Sequence, residues 1–169
     1  MSRLIKISLC LALITLCQGC KIKYSFSGIS TGDAETFQVN NFVNNAALVE
    51  PRIARDFTLA LQDIILTQSS LALTPTNGDI IYEGEITRYY VAPITATSQS
   101  TAAQNRLTME VNVRFFNTLD SEKDFEQKFS FYFDYEGGAQ LIGSQLDEAL
   151  EAIFERITQD IINKSLADW

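Results

Sequence analysis

Two segments of this chain alternate apolar and polar residues almost without a break. In Arg106 to Phe116, Leu107, Met109, Val111, Val113 and Phe115 fall on one side. Arg106, Thr108, Glu110, Asn112 and Arg114 fall on the other. In Phe125 to Tyr135, Phe129, Phe131 and Phe133 oppose Glu126, Lys128, Ser130, Tyr132 and Asp134. A period of two is the period of a strand, and such strictness means that one sheet face packs a core while the other stays polar. Asn117 to Asp124 is then the turn between the two strands.

A third long strand is expected over Asp79 to Val91, after the Asn77-Gly78 turn. Its alternation sets Glu83, Glu85, Thr87 and Tyr89 on one face and Tyr82, Gly84, Ile86 and Tyr90 on the other. Glu35 to Phe42 reads as a shorter strand. Between these lies a different period. Ile53, Phe57, Leu61, Ile64 and Ile65 recur at three- and four-residue steps, with Arg52, Arg55, Asp56 and Asp63 off the stripe. That spacing predicts a helix, with Pro51 at its first position and an end near Ser69–Ser70. Leu146, Leu150, Ile153, Ile157 and Ile161 form a second helical stripe after Gly137-Gly138. Ser144-Gln145-Leu146-Asp147 reads as its capping-box start. The expected fold class is α+β: a two-layer α/β sandwich in the order strand, helix, three strands, helix. Its four-stranded, mostly antiparallel sheet carries both helices on one face. Ala92 to Gln104, rich in Ser, Thr and Ala, reads as a loose connection between strands.

The three cysteines, Cys10, Cys17 and Cys20, all lie in the first twenty residues. Arg3 and Lys6 precede an apolar run from Ile7 to Leu16, about the length of a signal-peptide core and too short to span a bilayer. Gly19 offers a small residue before Cys20. As a disulfide half, Cys20 has only Cys10 and Cys17 to pair with; as a metal ligand it lacks partners, for the chain has no histidine. The stretch resembles the lipobox of bacterial lipoproteins, in which the cysteine is acylated and becomes the mature N-terminus. Where that motif usually carries Leu, three residues before the cysteine, this chain has Cys17, with Leu16 one step back. The expected organisation is a signal peptide over 1–19, a lipidated tether over 20–33 and a folded domain over 34–169.

Charge and composition narrow the function classes. Net charge is −8, and loss of the leader removes Arg3 and Lys6 but no acid. Nucleic-acid binding, which needs excess Lys and Arg, is not expected. Without histidine there is no His base, no Ser-His-Asp triad and no His-ligated metal. Gly137-Gly138 lacks phosphate-loop spacing, and the aspartates lack calcium-loop spacing. Glu83 and Glu85 share a strand face and could form an acid–base pair, but a solvated charged face is the simpler reading. No cofactor, metal or catalytic residue is expected. The feature left over is the polar sheet face, with Glu83, Glu85, Arg106, Glu110, Arg114, Glu126, Lys128 and Asp134, with Arg88 nearby, and Tyr89 and Tyr132 among them. It meets either water or a polar partner.

VNNFVNNAALVEPRIARDFTLALQDIIL, NGDIIYEGEITRYYVAPI, NRLTMEVNVRFFN and KDFEQKFSFYFDY, with the acidic last helix, together resemble the lipopolysaccharide-assembly lipoprotein family LptE, in a divergent form. The likeness covers nearly the whole chain after the leader. It implies a lipid-anchored protein on the periplasmic side of the outer membrane. Such a protein would plug the LptD β-barrel, help it assemble, and associate with lipopolysaccharide. Arg88, Arg106, Arg114 and Lys128 are then the candidate lipopolysaccharide or barrel contacts, and Cys20 the lipid attachment point. Two alternatives stand beside it: an accessory lipoprotein of another periplasmic lipid-transport system, holding an apolar ligand between sheet and helices, and a hydrolase using Glu83 or Glu85.

Overall fold

The computed structural model describes residues 29, 31–48, 50–94, 104–136 and 140–167. Cys20, the leader, most of the expected tether, Gly137-Gly138 and most of the connection after Ala92 lie outside the described residues.

The elements run β1 (Thr36–Val39), β2 (Val43–Asn44), α1 (Ile53–Gln68), β3 (Ala72–Leu73), β4 (Ile80–Ile94), β5 (Gln104–Asn117), β6 (Phe125–Glu136) and α2 (Ser144–Leu166). The sheet order is β3-β1-β4-β5-β6, with β2 also on β4. β4, β5 and β6 form an antiparallel meander. β1, β2 and β3 pair parallel to their neighbours, so the sheet is mixed. The class is the α+β class expected, and the strand count differs by two. β2 and β3 are two-residue strands, too short to show any period.

β1 and β4 are parallel because α1 carries the chain back across the sheet between them. Their junction is clamped by Asp79. One of its carboxylate oxygens accepts bonds from the Glu35 amide (3.0 Å), the Thr36 amide (2.9 Å) and the Thr36 hydroxyl (2.8 Å). These donors favour the ionised form, so the Asp79 carboxyl sits below its ordinary range, chiefly through the Glu35 amide.

Both helices cover one face of the sheet. Phe57 of α1 meets Phe42 and Phe154 edge-on, with ring centroids 5.0 and 5.6 Å away. The Tyr82 hydroxyl, deep in the core, lies 2.8 Å from the Ser165 hydroxyl of α2. Phe57, Leu61, Ile65, Ile153, Ile157 and Ile161 are completely buried, each contributing about 2 kcal/mol through exclusion of water. The helices run parallel, side by side. Arg52 and Asp147 join their first turns at 3.2 Å, and Gln68 meets Gln159 at 2.7 Å further along.

Both helix starts differ from expectation. Pro51 lies in the turn before α1, whose first residue is Ile53 and whose cap is Arg52. Ser144 does not cap α2 but is its first helical residue. The cap is Gly143, at φ 61°, in the left-handed region that glycine enters without a Cβ clash. Asp147, expected to complete a capping box, turns to Arg52 instead.

Candidate functional site

Among the described residues nothing packs as a layer on the second face of the sheet. The strand register assembles that face from rows of side chains. Glu83, Arg114 and Glu126 face one another across β4, β5 and β6; so do Glu85, Asn112 and Lys128, and, nearer the other end, Tyr90, Thr108 and Tyr132.

Arg114 is central. Its Nε donates to Glu83 at 3.0 Å and its Nη1 to Glu85 at 2.9 Å. Asn112, buried to 9% exposure, gives its amide hydrogens to Glu85 (2.9 Å) and Glu126 (2.6 Å). Asn40 continues the network from Glu83 towards Gln38 on β1. The polar chain therefore spans four strands. The Asn112 amide, and then Arg114, hold the Glu85 carboxyl below its ordinary range. Glu83 and Glu85 lie on either side of the Arg114 guanidinium, and the depressed Glu85 carboxyl is unsuited to donating a proton.

A second cluster forms around Glu110. It accepts from the Thr87 hydroxyl (2.7 Å) and from Lys128 (3.2 Å), which together lower its carboxyl, the Thr87 bond contributing most. In a third cluster Arg106 grips Asp134 through two bonds, of 2.7 and 2.8 Å, and lies over the Tyr132 ring. This fork raises the guanidinium and lowers the carboxyl.

The structure thus places all four basic candidates on one face, and three of them are already committed. Arg106 holds Asp134, Arg114 holds Glu83 and Glu85, and Lys128 holds Glu110. Arg88 pairs in register with Glu110 and points to solvent. The face is dense in charge and largely neutralised within itself.

Tyr89, expected among the polar residues, is buried in the core, and Tyr90 is 43% exposed in its stead. The cause is a bulge: the β4–β5 register shifts between Ile86 and Arg88, so Thr87 is an extra residue and the alternation changes phase. One signal for it was in the sequence. Unbroken alternation from Tyr82 through Ile86 would drive Arg88 into the apolar core. Asn112, Asn40 and Gln38 had no such signal. Their bridging role depends on which strands lie side by side.

The family described as "LptE: Lipopolysaccharide-assembly" matches residues 34–165. Among curated proteins no significant match is found. Similar solved structures include a PelC dodecamer from Paraburkholderia phytofirmans (TM-score 0.48, 8% identity, 83% of this chain and 96% of that one). They also include a minor lipoprotein from Acinetobacter baumannii (0.48, 11%, 78% and 90%) and the rare lipoprotein B from Shewanella oneidensis (0.44, 9%, 75% and 89%). These are distant likenesses, and the assignment rests on the family match, which spans most of the chain. The chain belongs to the lipopolysaccharide-assembly family LptE.

Proposed function

We propose that this protein is a lipid-anchored, periplasm-facing subunit of the outer membrane that occupies the lumen of an LptD-like β-barrel. There it helps the barrel assemble and insert lipopolysaccharide into the outer leaflet. The observation that carries this reading is the uncovered, internally neutralised polar face of the sheet. Large outer-membrane barrels have polar interiors. A surface entering one loses water, and unpaired charges would make that loss costly; Arg106, Arg114 and Lys128 go in with their carboxylates already attached. The same pairing favours a plug over a lipid carrier, because three of the four cations that would grip a phosphate are engaged. The anchor in this reading is Cys20. The role is non-catalytic: Glu83 and Glu85 serve as partners of Arg114 and Asn112.

A second reading, an accessory lipoprotein of another lipid-transport system, draws on one feature. A cavity of about 800 Å³ lies where α2 begins, lined by Leu48, Tyr89, Val91, Leu107, Leu141 and Leu146 among others. Its walls suit an acyl chain.

One purification separates the two. The full chain, tagged at its C-terminus, is extracted from membranes in mild detergent, and the bound proteins and lipids are identified by mass spectrometry. A stoichiometric large barrel supports the plug. Its reproducible absence, with phospholipid bound to a folded domain, overturns the plug and supports the accessory.

A further inference from the structure

The two parallel helices leave a groove on the side away from the sheet. It encloses about 430 Å³ between α1 and α2. The floor is Ala60 and Ile64 from one helix and Leu150, Phe154 and Thr158 from the other. The Thr158 hydroxyl is spent on the Phe154 carbonyl at 2.7 Å, so the floor offers no free polar group there. Beside the groove, Leu59 and Leu66 stand 49% and 45% exposed on α1, seven residues apart and so on one helix face.

The rim is acidic. Asp56 and Asp63 border it on α1, and Asp147, Glu151 and Glu155 on α2. Arg52 is the one cation lining it, and Arg52 holds Asp147. Asp56 is held by Arg55. Asp63, Glu151 and Glu155 have no ion-pair partner among the described residues. The sheet face shows the opposite pattern, since most of its charges are paired within the chain.

We propose that this groove docks a partner-protein segment in which apolar side chains are flanked by lysine or arginine. The apolar floor would take the ridge of such a segment, and the three unpaired carboxylates would take its cations. This is the helix-in-groove mode of recognition, with charge setting the partner. A second copy of this chain, acidic overall, would be repelled by the same rim, and so would an anionic glycolipid surface. The proposal is independent of what meets the sheet face.

The test is photo-crosslinking of the full chain in cells, with a photoreactive phenylalanine analogue at Thr67, on the groove wall. Peptides crosslinked to it are then sequenced. A parallel probe at Ser130 reports on the sheet face. The expected product is a partner peptide with Lys or Arg within one helical turn of an apolar residue. Asp63→Lys with Glu155→Lys should cut its yield about tenfold, leaving the Ser130 crosslinks and the melting temperature unchanged. Asp63→Asn with Glu155→Gln should fall between, and Ala60→Phe, which fills the floor, should also reduce the yield. The proposal is overturned by crosslinks only to a second copy, to lipid or to an acidic segment. It is equally overturned by no crosslink at all, or by a yield indifferent to the charge reversals. Loss of the barrel with the groove crosslink intact would remove the plug reading and leave this one standing.

Discussion

Arg106 lies over Tyr132, its guanidinium carbon 3.6 Å from the ring centroid, while two of its nitrogens hold Asp134. Arginine and tyrosine in one rigid, partly exposed unit are the kind of pair that anchors protein interfaces.

If this unit contacts the barrel, Arg106→Lys should lower recovery of the barrel partner several-fold, because lysine keeps the charge and loses both the fork and the stacking plane. Tyr132→Ala should act in the same direction. Melting temperature should hardly move, since the unit sits at the surface. Co-purification from membranes is the readout, and unchanged recovery would remove this end of the sheet from the interface.

Arg114 is expected to matter for stability in a pH-dependent way. Arg114→Gln leaves Glu83 and Glu85 facing each other without their cation and should cost about 1 kcal/mol at pH 7, a figure already reduced for solvent screening. The Glu85 carboxyl is depressed in the folded state, so its contribution is present above its ordinary value of 4.5 and is lost as pH falls through the lower folded value. The difference between variant and wild type should therefore shrink on acidification. Urea denaturation at pH 7 and at about pH 3 measures it; a constant gap would mean that repulsion between the two carboxylates is not its source.

Tyr89 and Tyr90 are neighbours with opposite fates. Tyr89→Ala empties a core site and should cost about 3 kcal/mol, whereas Tyr90→Ala should cost less than about 1 kcal/mol. The Tyr89 phenol is pushed up to about 12, mainly by burial. Its contribution is complete below its ordinary value of 10.0 and fades as pH rises towards the folded value. Wild-type stability should decline over that range more steeply than that of Tyr89→Phe. Equal costs for the two alanine variants would deny the bulge.

Gly84 lies where strand and core leave no room. A Cβ there would meet the Asn112 carbonyl oxygen on β5, and Phe42 Cε1 at 2.8 Å. Gly84→Ala should destabilise by about 1–3 kcal/mol through overpacking, measured as a lower urea midpoint with unchanged slope. Wild-type stability in this variant would mean that Phe42 moves aside freely.

The sequence made local periods legible and left their neighbours hidden. The Arg106–Phe116 alternation names the five buried apolar residues of β5 correctly because a period of two is written in consecutive positions; buried Asn105 lies just before it. The Ile53–Ile65 stripe does so for Ile53, Phe57, Leu61 and Ile65 of α1, but it misses buried Thr58 and includes Ile64, which lies only partly buried at the helix–helix groove. Thr87 broke the rule: one inserted residue changes the phase of everything after it, and only the charge of Arg88 hinted at the change. The site was legible to the same degree. Its charged residues were visible as a face, but the union of Arg114 with two glutamates depends on the register between β4 and β5. The groove needed more still, since Asp63 and Glu155 lie far apart in the chain and meet only because the helices run parallel.

The parallel pairing of β1 with β4 also sets an order in time. Thr36 and Asp79 are 43 residues apart, while β4, β5 and β6 follow one another through short connections. Closing the longer loop is entropically dearer and slower, so the meander should form first and β1 should dock on it last. Until then the edge of β4 is bare, a row of unsatisfied amides and carbonyls open to any passing strand. Pulse-labelled hydrogen exchange during refolding would see this as late protection of Asn40, whose amide donates to the Tyr82 carbonyl, after β5 amides are already closed. A newly made chain of this family would therefore be most exposed to wrong strand pairing in the interval before its own first strand comes home.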